Sequence, residues 1–308
     1  MRLLLIDGHY YLYRSFHAIR SLQNSRGEPT NALYGFVRAV RRMLTDLRPE
    51  LGAVIWDSGP PARRMALQPA YKQHRPEMPE LLRFQEPLVQ EICPFLGLAS
   101  LSLPQVEADD LVASYTEAAV AAGMEVDIAT NDKDLLQLVR PEVFIYSTNK
   151  ADLVASTDNF TLLGEGDVLK KWGVPPTLIG EVLALTGDAA DNIPGVEGVG
   201  PKTATDLVRR HGRISDLLAS LKEVKNEKLR IKLENARDRI IENREMIRLD
   251  LDLPLPRPVK DLHIRPQFSP LIQVLERYEF KSLLAEVRRE MGESKEGASL
   301  LSTQKELF

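Results

Sequence analysis

A single cysteine, Cys93, stands in 308 residues, which excludes an internal disulfide framework and any zinc site built on several thiolates. Metal chemistry would have to use oxygens. No apolar run approaches the roughly 18 residues that a membrane span needs. The opening Met1-Arg2-Leu3-Leu4-Leu5-Ile6-Asp7 puts an acid where a secretion signal would continue its apolar core. These absences predict a soluble, cytoplasmic protein. Repeats of solenoid period are missing too. What remains, 27% charged and 44% hydrophobic, predicts one large domain or a main domain with a smaller one attached.

The net charge of -4 conceals a strong segregation. Residues 1–85 carry a net +6, residues 86–191 a net -13, and residues 192–308 a net +3. A basic front, an acidic middle and a mildly basic back suit a polyanion held around a carboxylate-rich centre, provided cations neutralise that centre. The plainer alternative is a set of acidic helices facing water.

The first half alternates short apolar strands with helical patterns. Strands are predicted at 2–6, 52–56, 100–103, 125–129 and 143–146, and helices at 31–47, 108–122 and 133–138. Continuous apolar strands predict an α/β fold whose mostly parallel sheet is buried on both faces. Residues 58–97 interrupt the rhythm, too long for an ordinary crossover, and read as a functional excursion with a helix near 81–92. From Gly164 the pattern is all helical, with helices predicted at 170–185, 202–210, 214–221, 227–249 and 270–291 and a Pro-rich connection at 250–266.

Acids cluster where a parallel sheet places its ligand site, beyond the carboxyl ends of strands. Asp7 closes the first strand and Asp57 the second; Glu107, Asp109 and Asp110 follow the third, and Asp132 and Asp134 the fourth. Asp188 and Asp191 precede a glycine-rich turn. Nine carboxylates on one edge repel unless protonated or bridged by cations. Mg2+ suits a phosphate substrate, and two such ions could activate a water and stabilise a leaving oxygen. Singly, each acid has an ordinary explanation, such as a helix N-terminus or a cap.

Gly195-Val196-Glu197-Gly198-Val199-Gly200-Pro201-Lys202-Thr203-Ala204 lies between two helical patterns. Glycines let a backbone approach phosphate, and the following helix start favours an anion. With Lys202, Arg209, Arg210 and His211 the segment resembles a helix-hairpin-helix grip on a DNA backbone; the alternative is an ordinary helix connection. The excursion supplies Arg63, Arg64, Lys72 and Arg75, with Tyr71 between them. These would draw in a single strand, neutralise the scissile phosphate and stack a base, unless the segment is merely a solvated loop.

In combination, Ile6-Asp7-Gly8, Tyr13-Arg14-Ser15-Phe16-His17-Ala18, Arg26-Gly27-Glu28-Pro29, Tyr34-Gly35-Phe36, Tyr71-Lys72 with Arg75-Pro76, Val106-Glu107-Ala108-Asp109-Asp110, Asp132-Lys133-Asp134, Gly187-Asp188 with Asp191-Asn192, and the 198–204 run resemble the bacterial 5'-3' exonuclease and flap endonuclease family, found at the front of DNA polymerase I and as free-standing enzymes. The likeness runs from about residue 2 to about residue 291. It implies a PIN-like core, a helical arch formed by the excursion, and a helix-three-turn-helix element. It also implies one metal cluster at Asp7, Asp57, Glu107, Asp109 and Asp110, and a second at Asp132, Asp134, Asp188 and Asp191. Arg14, Arg64, Lys72 and Arg75 would meet the 5' strand or the reacting phosphate. Tyr71, Gly198, Gly200, Lys202, Thr203 and Arg209 would bind DNA, and the grip would hold K+. Mn2+ would substitute for Mg2+.

The expected organisation is a nuclease core at 1–163 with the arch at about 58–97, a helical DNA-binding part at 164–291 with its hairpin motif at about 192–211, and a flexible tail at 292–308. The expected activity is metal-dependent 5'-3' exonuclease and 5' flap endonuclease cleavage, including RNA primer removal, by a monomer. A non-catalytic junction binder and a PIN-type ribonuclease are the alternatives. At the tail, Gln304, Leu307 and Phe308 resemble a short peptide that docks on a sliding clamp, the alternative being an end that folds back or stays unstructured.

Overall fold

The computed structural model describes residues 1–147 and 160–292. The clamp-like peptide at 304–308 lies outside them. Six strands form one sheet in the order β3-β2-β1-β4-β5-β6: β1 (Arg2–Asp7), β2 (Leu51–Trp56), β3 (Ala99–Ser102), β4 (Glu125–Ala129), β5 (Val143–Ser147) and β6 (Thr161–Leu163). β1 pairs with β4 and β4 with β5 in parallel, while β6 adds an antiparallel edge that the sequence pattern did not announce. Every residue of β2 is buried, as are all but the first of β1 and of β4. Strands covered on both faces have no polar face to display, hence the apolar runs of β1 and β2 and, in β4, a stretch interrupted by the buried Asp127.

The chain divides into two compact units. The first holds residues 1–7, 55–77 and 101–259. In it α5 (Ala108–Ala121) packs on β1 and β4, and α7 (Ile179–Thr186) lies against α8 (Pro201–His211) and α11 (Arg237–Ile247). The other helices of this unit are α3 (Ala62–Leu67), α6 (Glu165–Trp172), α9 (Ile214–Ala219) and α10 (Glu227–Asn235). The second unit holds residues 8–54, 78–100 and those from 260 on. There α1 (Gly8–Ala18) packs on α2 (Asn31–Leu47), and α4 (Glu80–Ile92) contacts both. Gln85 of α4 is fully buried and its Oε1 accepts the Ala32 and Leu33 N–H groups at 2.8 and 3.2 Å, satisfying donors at the start of α2. Cys93, also in this unit, is buried, and burial pushes its thiol pKa far up.

Three long helical expectations break in two. The predicted helix at 170–185 becomes α6 and α7, because Gly173 takes a left-handed conformation (φ 73°) that ends α6, and Pro175 and Pro176 follow. Residues 227–249 divide at Ala236 into α10 and α11. Residues 270–291 divide into α12 (Phe268–Arg277) and a helix starting at 281; the break buries both Tyr278 and Phe280. Residues 133–138 form a short 3-10 turn instead of an α-helix. No helix among the described residues is long and apolar enough to cross a membrane.

Candidate active site

The parallel register sets Ile6 beside Ala129, so the chain leaves β1 and β4 at the same level with Asp7 and Thr130 as neighbours. Thr130, fully buried, donates its hydroxyl to Asp7 Oδ2 at 2.9 Å and accepts the Asp132 N–H at 3.0 Å. Asp132 Oδ1 in turn accepts the Asp134 N–H at 2.8 Å. This relay fixes three of the acids relative to one another. Thr130 was missed in the sequence; its one signal was its place directly after the fourth strand. Asp57 accepts the Ala108 N–H at 2.8 Å, satisfying a donor at the start of α5, whose first turn carries Asp109 and Asp110.

These carboxylates load one another with charge. Burial, and then the charges of Asp132, Asp7, Asp57 and Asp134, hold the Asp109 carboxyl well above the usual range. Burial and the neighbouring Asp132 push Asp134 up to about 8, and burial and Asp191 raise Asp132. Asp134 Oδ1 is buried with no hydrogen-bond partner. An orphaned carboxylate oxygen amid surplus negative charge fits a hard divalent cation. No three His, Cys, Asp or Glu side chains among the described residues form a ready-made coordination shell. An all-oxygen set of spaced acids suits an ion that keeps much of its own water, as Mg2+ does.

Four cations and one phenol occupy the other side of the site. The buried Arg64 grips Asp110 with both terminal nitrogens, donates Nε–H to the Met246 carbonyl at 2.8 Å, and pairs with Glu107 at 2.6 Å. Burial alone would oppose its charge, but Asp110 and Glu107 outweigh that and raise its pKa. Its donors thus meet protein groups, joining α3 to Asp110, Glu107 and the Met246 carbonyl. Asp110, also bonded by the Asp250 N–H at 3.0 Å, is likewise held by protein groups.

Lys72 pairs with Glu107 and lies 4.0 Å from Asp191; despite burial, these two charges raise its pKa. Arg75 Nη2 donates to Asp191 Oδ1 at 2.5 Å, and Lys133 pairs with Asp188 at 3.0 Å. Tyr71 departs from expectation. The residue is 6% exposed, so its ring offers no open face to a base. Instead its hydroxyl sits 3.2 Å from both oxygens of Glu107 and 3.1 Å from Asp191 Oδ2, joining an acid of each expected cluster. Arg14 belongs to the second unit, where its Nη1 donates to the Tyr10 hydroxyl at 3.0 Å.

Asp188 and Asp191 sit on a two-strand turn, Gly187–Asp188 against Ile193–Pro194. A Cβ on Gly187 would meet the Ile193 carbonyl at 2.3 Å, and one on Gly195 would meet the Thr186 carbonyl at 2.1 Å. These two glycines are therefore demanded by the hairpin itself. Gly200 differs: its φ is an ordinary -86° and a Cβ there would meet nothing within 4 Å. It immediately precedes α8, whose exposed Lys202 and Arg209, seven residues apart, share one face, with Thr203 half-buried beside them. Gly198 is left-handed (φ 74°), and Lys232 of α10 reaches this turn, a cation the sequence reading did not single out.

The family model described as 5'-3' exonuclease, N-terminal resolvase-like domain, matches residues 2–173, and the one described as 5'-3' exonuclease, C-terminal SAM fold, matches residues 174–269. A 5'-3' exonuclease of Aquifex aeolicus is 37% identical over 286 residues, covering 92% of this chain and 94% of that protein. The thermostable DNA polymerase I of Thermus filiformis is 38% identical over 92% of this chain, which spans only 33% of that polymerase. Among solved structures, the T5 D15 protein co-crystallised with metal ions is similar at a TM-score of 0.68 and 19% identity, covering 82% of this chain and 90% of its own. The catalytic core of Rad2 with DNA substrate is similar at 0.60 and 16%, covering 90% and 86%. At such identities these likenesses speak for the fold.

Proposed function

Because this chain belongs to the 5'-3' exonuclease family, we propose that it is a metal-dependent phosphodiesterase that removes nucleotides and short flaps from 5' ends of DNA, RNA primers included. The observation that carries this reading is the convergence of acids from three strand ends, Asp7 linked through Thr130 to Asp132 and Asp134, and Asp57 bonded to the start of α5, a crowding that raises the Asp109 carboxyl. A cluster so overcharged is stable chiefly as a holder of cations. Asp7, Asp57, Glu107, Asp109, Asp132, Asp134, Asp188 and Asp191 would hold two Mg2+, or Mn2+, with Asp110 supporting them through Arg64. When bound, such ions supply a water nucleophile at neutral pH and charge stabilisation for an in-line displacement at phosphorus.

The chain's own residues do the rest. Tyr71 and the Thr130 relay keep the acids in place, and Lys72, held among them, sets a positive charge where the reacting phosphate gains negative charge. Arg75 and Arg14 bind the 5' strand. The exposed start of α8, with Gly198, Gly200, Lys202, Thr203 and Arg209, grips the DNA backbone and holds K+. The tail at 304–308 docks on a sliding clamp, through Gln304, Leu307 and Phe308.

A 5'-labelled flap duplex, incubated with Mg2+ and then with EDTA, tests the activity. Release of a short 5' product only with the metal is expected. Binding without cleavage would instead make the protein a junction binder, and cleavage confined to RNA would make it a ribonuclease. For the tail, deleting residues 304–308 should leave cleavage of a free flap intact and abolish clamp binding; equal clamp affinity would end that part of the proposal.

A further inference from the structure

Two neutral side chains tie the segment carrying Tyr71 and Lys72 to the hairpin carrying Asp191. Gln68 donates Nε2–H to the Asn192 carbonyl at 2.7 Å, and Asn192 donates Nδ2–H to the Ala70 carbonyl at 2.8 Å. Between them the Lys72 N–H donates to the Asp191 carbonyl at 3.1 Å. Lys72 and Asn192 are both left-handed, with φ of 56° and 58°. That conformation suits asparagine but is unfavourable for lysine, and it persists where surrounding bonds overdetermine the backbone. Here three bonds, running in both directions, do so. Turning the Lys72 backbone back to an ordinary conformation would swing its side chain away from Glu107.

We infer that Asn192 and Gln68 are positioning residues: together they latch residues 68–72 in register with the Asp191 turn and thereby aim Lys72 into the acid cluster. The inference rests on the proposed role of Lys72 at the reacting phosphate. It assigns to two uncharged residues, 124 positions apart in sequence, control over where that charge stands.

Three substitutions separate the hydrogen bonds from the backbone. Asn192→Gly keeps the left-handed backbone and removes the donor; Asn192→Asp tolerates that backbone but cannot donate; Gln68→Glu keeps length and loses its donor. Each should lower the single-turnover cleavage rate roughly tenfold, since small misplacements of a reacting group have large effects, while leaving affinity for the flap duplex in EDTA within about twofold. Combined with Lys72→Ala, each should add less than about a twofold further loss, because residues acting through one group are not additive. In EDTA without DNA, trypsin should cut after Lys72 several times faster in Asn192→Gly than in the wild type. If Lys72→Ala slows cleavage but the three variants match wild type in rate and trypsin pattern, the latch is refuted and the site reading stands. A fully additive loss in the Lys72→Ala background also refutes it. If Lys72→Ala itself cleaves at the wild-type rate, the reading of the site fails, and the latch with it.

Discussion

Tyr71 was expected to display a ring to a base, and burial turned it into a clamp; the neighbouring Lys72, expected to act on the reacting phosphate, pairs with Glu107. The difference is one of surroundings: a phenol can bury its ring and leave only the hydroxyl to find partners, whereas an ammonium goes to carboxylates. Lys72→Ala should reduce single-turnover cleavage by roughly a hundredfold with little change in DNA affinity, as a charge acting mainly in the transition state would. Asp134 makes the opposite kind of statement. Its carboxyl is raised to about 8 without metal, above its unfolded value, so the folded state holds a proton the unfolded state releases. Metal-free stability should therefore fall as pH rises from about 4 to about 8. Asp134→Asn should flatten that fall in thermal unfolding with EDTA. At pH 8 it should raise Tm by a few degrees, given roughly 2–4 °C per kcal/mol for a domain this size, and shrink the stabilisation by Mg2+.

Among the elements, β4 carries a second misplaced charge, Asp127, fully buried with neither oxygen hydrogen-bonded and with Arg2 Nε 3.4 Å away. Burial pushes it up to about 6 although Arg2 opposes the shift. Stability should thus decline between about pH 4 and 6, by up to about 3 kcal/mol at 1.36 kcal/mol per pKa unit. Denaturant titrations of Asp127→Asn should lack that decline. The start of α8 offers a test that spares the fold: Gly200→Ala should leave Tm within about a degree yet weaken DNA binding severalfold, since only a ligand has reason to come close there. The strands and the acids at their ends were legible in the sequence because burial on both faces leaves an unmistakable apolar run that ends abruptly in charge. The helix break at Gly173 was also legible, in that glycine and the two prolines after it, although the reading ran a helix across it, whereas the breaks at Ala236 and Tyr278 carry no glycine or proline to mark them. The Gln68 and Asn192 bonds were illegible for another reason: neutral amides far apart in sequence leave no pattern until the fold brings them together.

At the scale of the whole molecule, net charge is a poor guide to binding. The acids of the middle segment are paired in part, by Arg64, Lys72 and Arg75 of the basic front and by Lys133, and stay in excess, while Lys202 and Arg209 lie exposed on α8. DNA affinity should fall with rising salt despite the formal charge of -4, and Lys202→Ala with Arg209→Ala should flatten the slope by roughly two counterions. A salt-independent affinity would contradict the backbone grip. One feature of the second unit also makes the protein convenient to observe. Cys93 is the only thiol, fully buried and held far from ionising, so a thiol-directed dye should leave the native protein unlabelled and react with one site per chain once it unfolds. Leu67, at the end of α3, is 42% exposed and apolar. A cysteine placed there would be the sole reactive handle on an otherwise silent background. A fluorophore attached to it would report in real time when the segment leading to Lys72 lifts from the acids and when it settles.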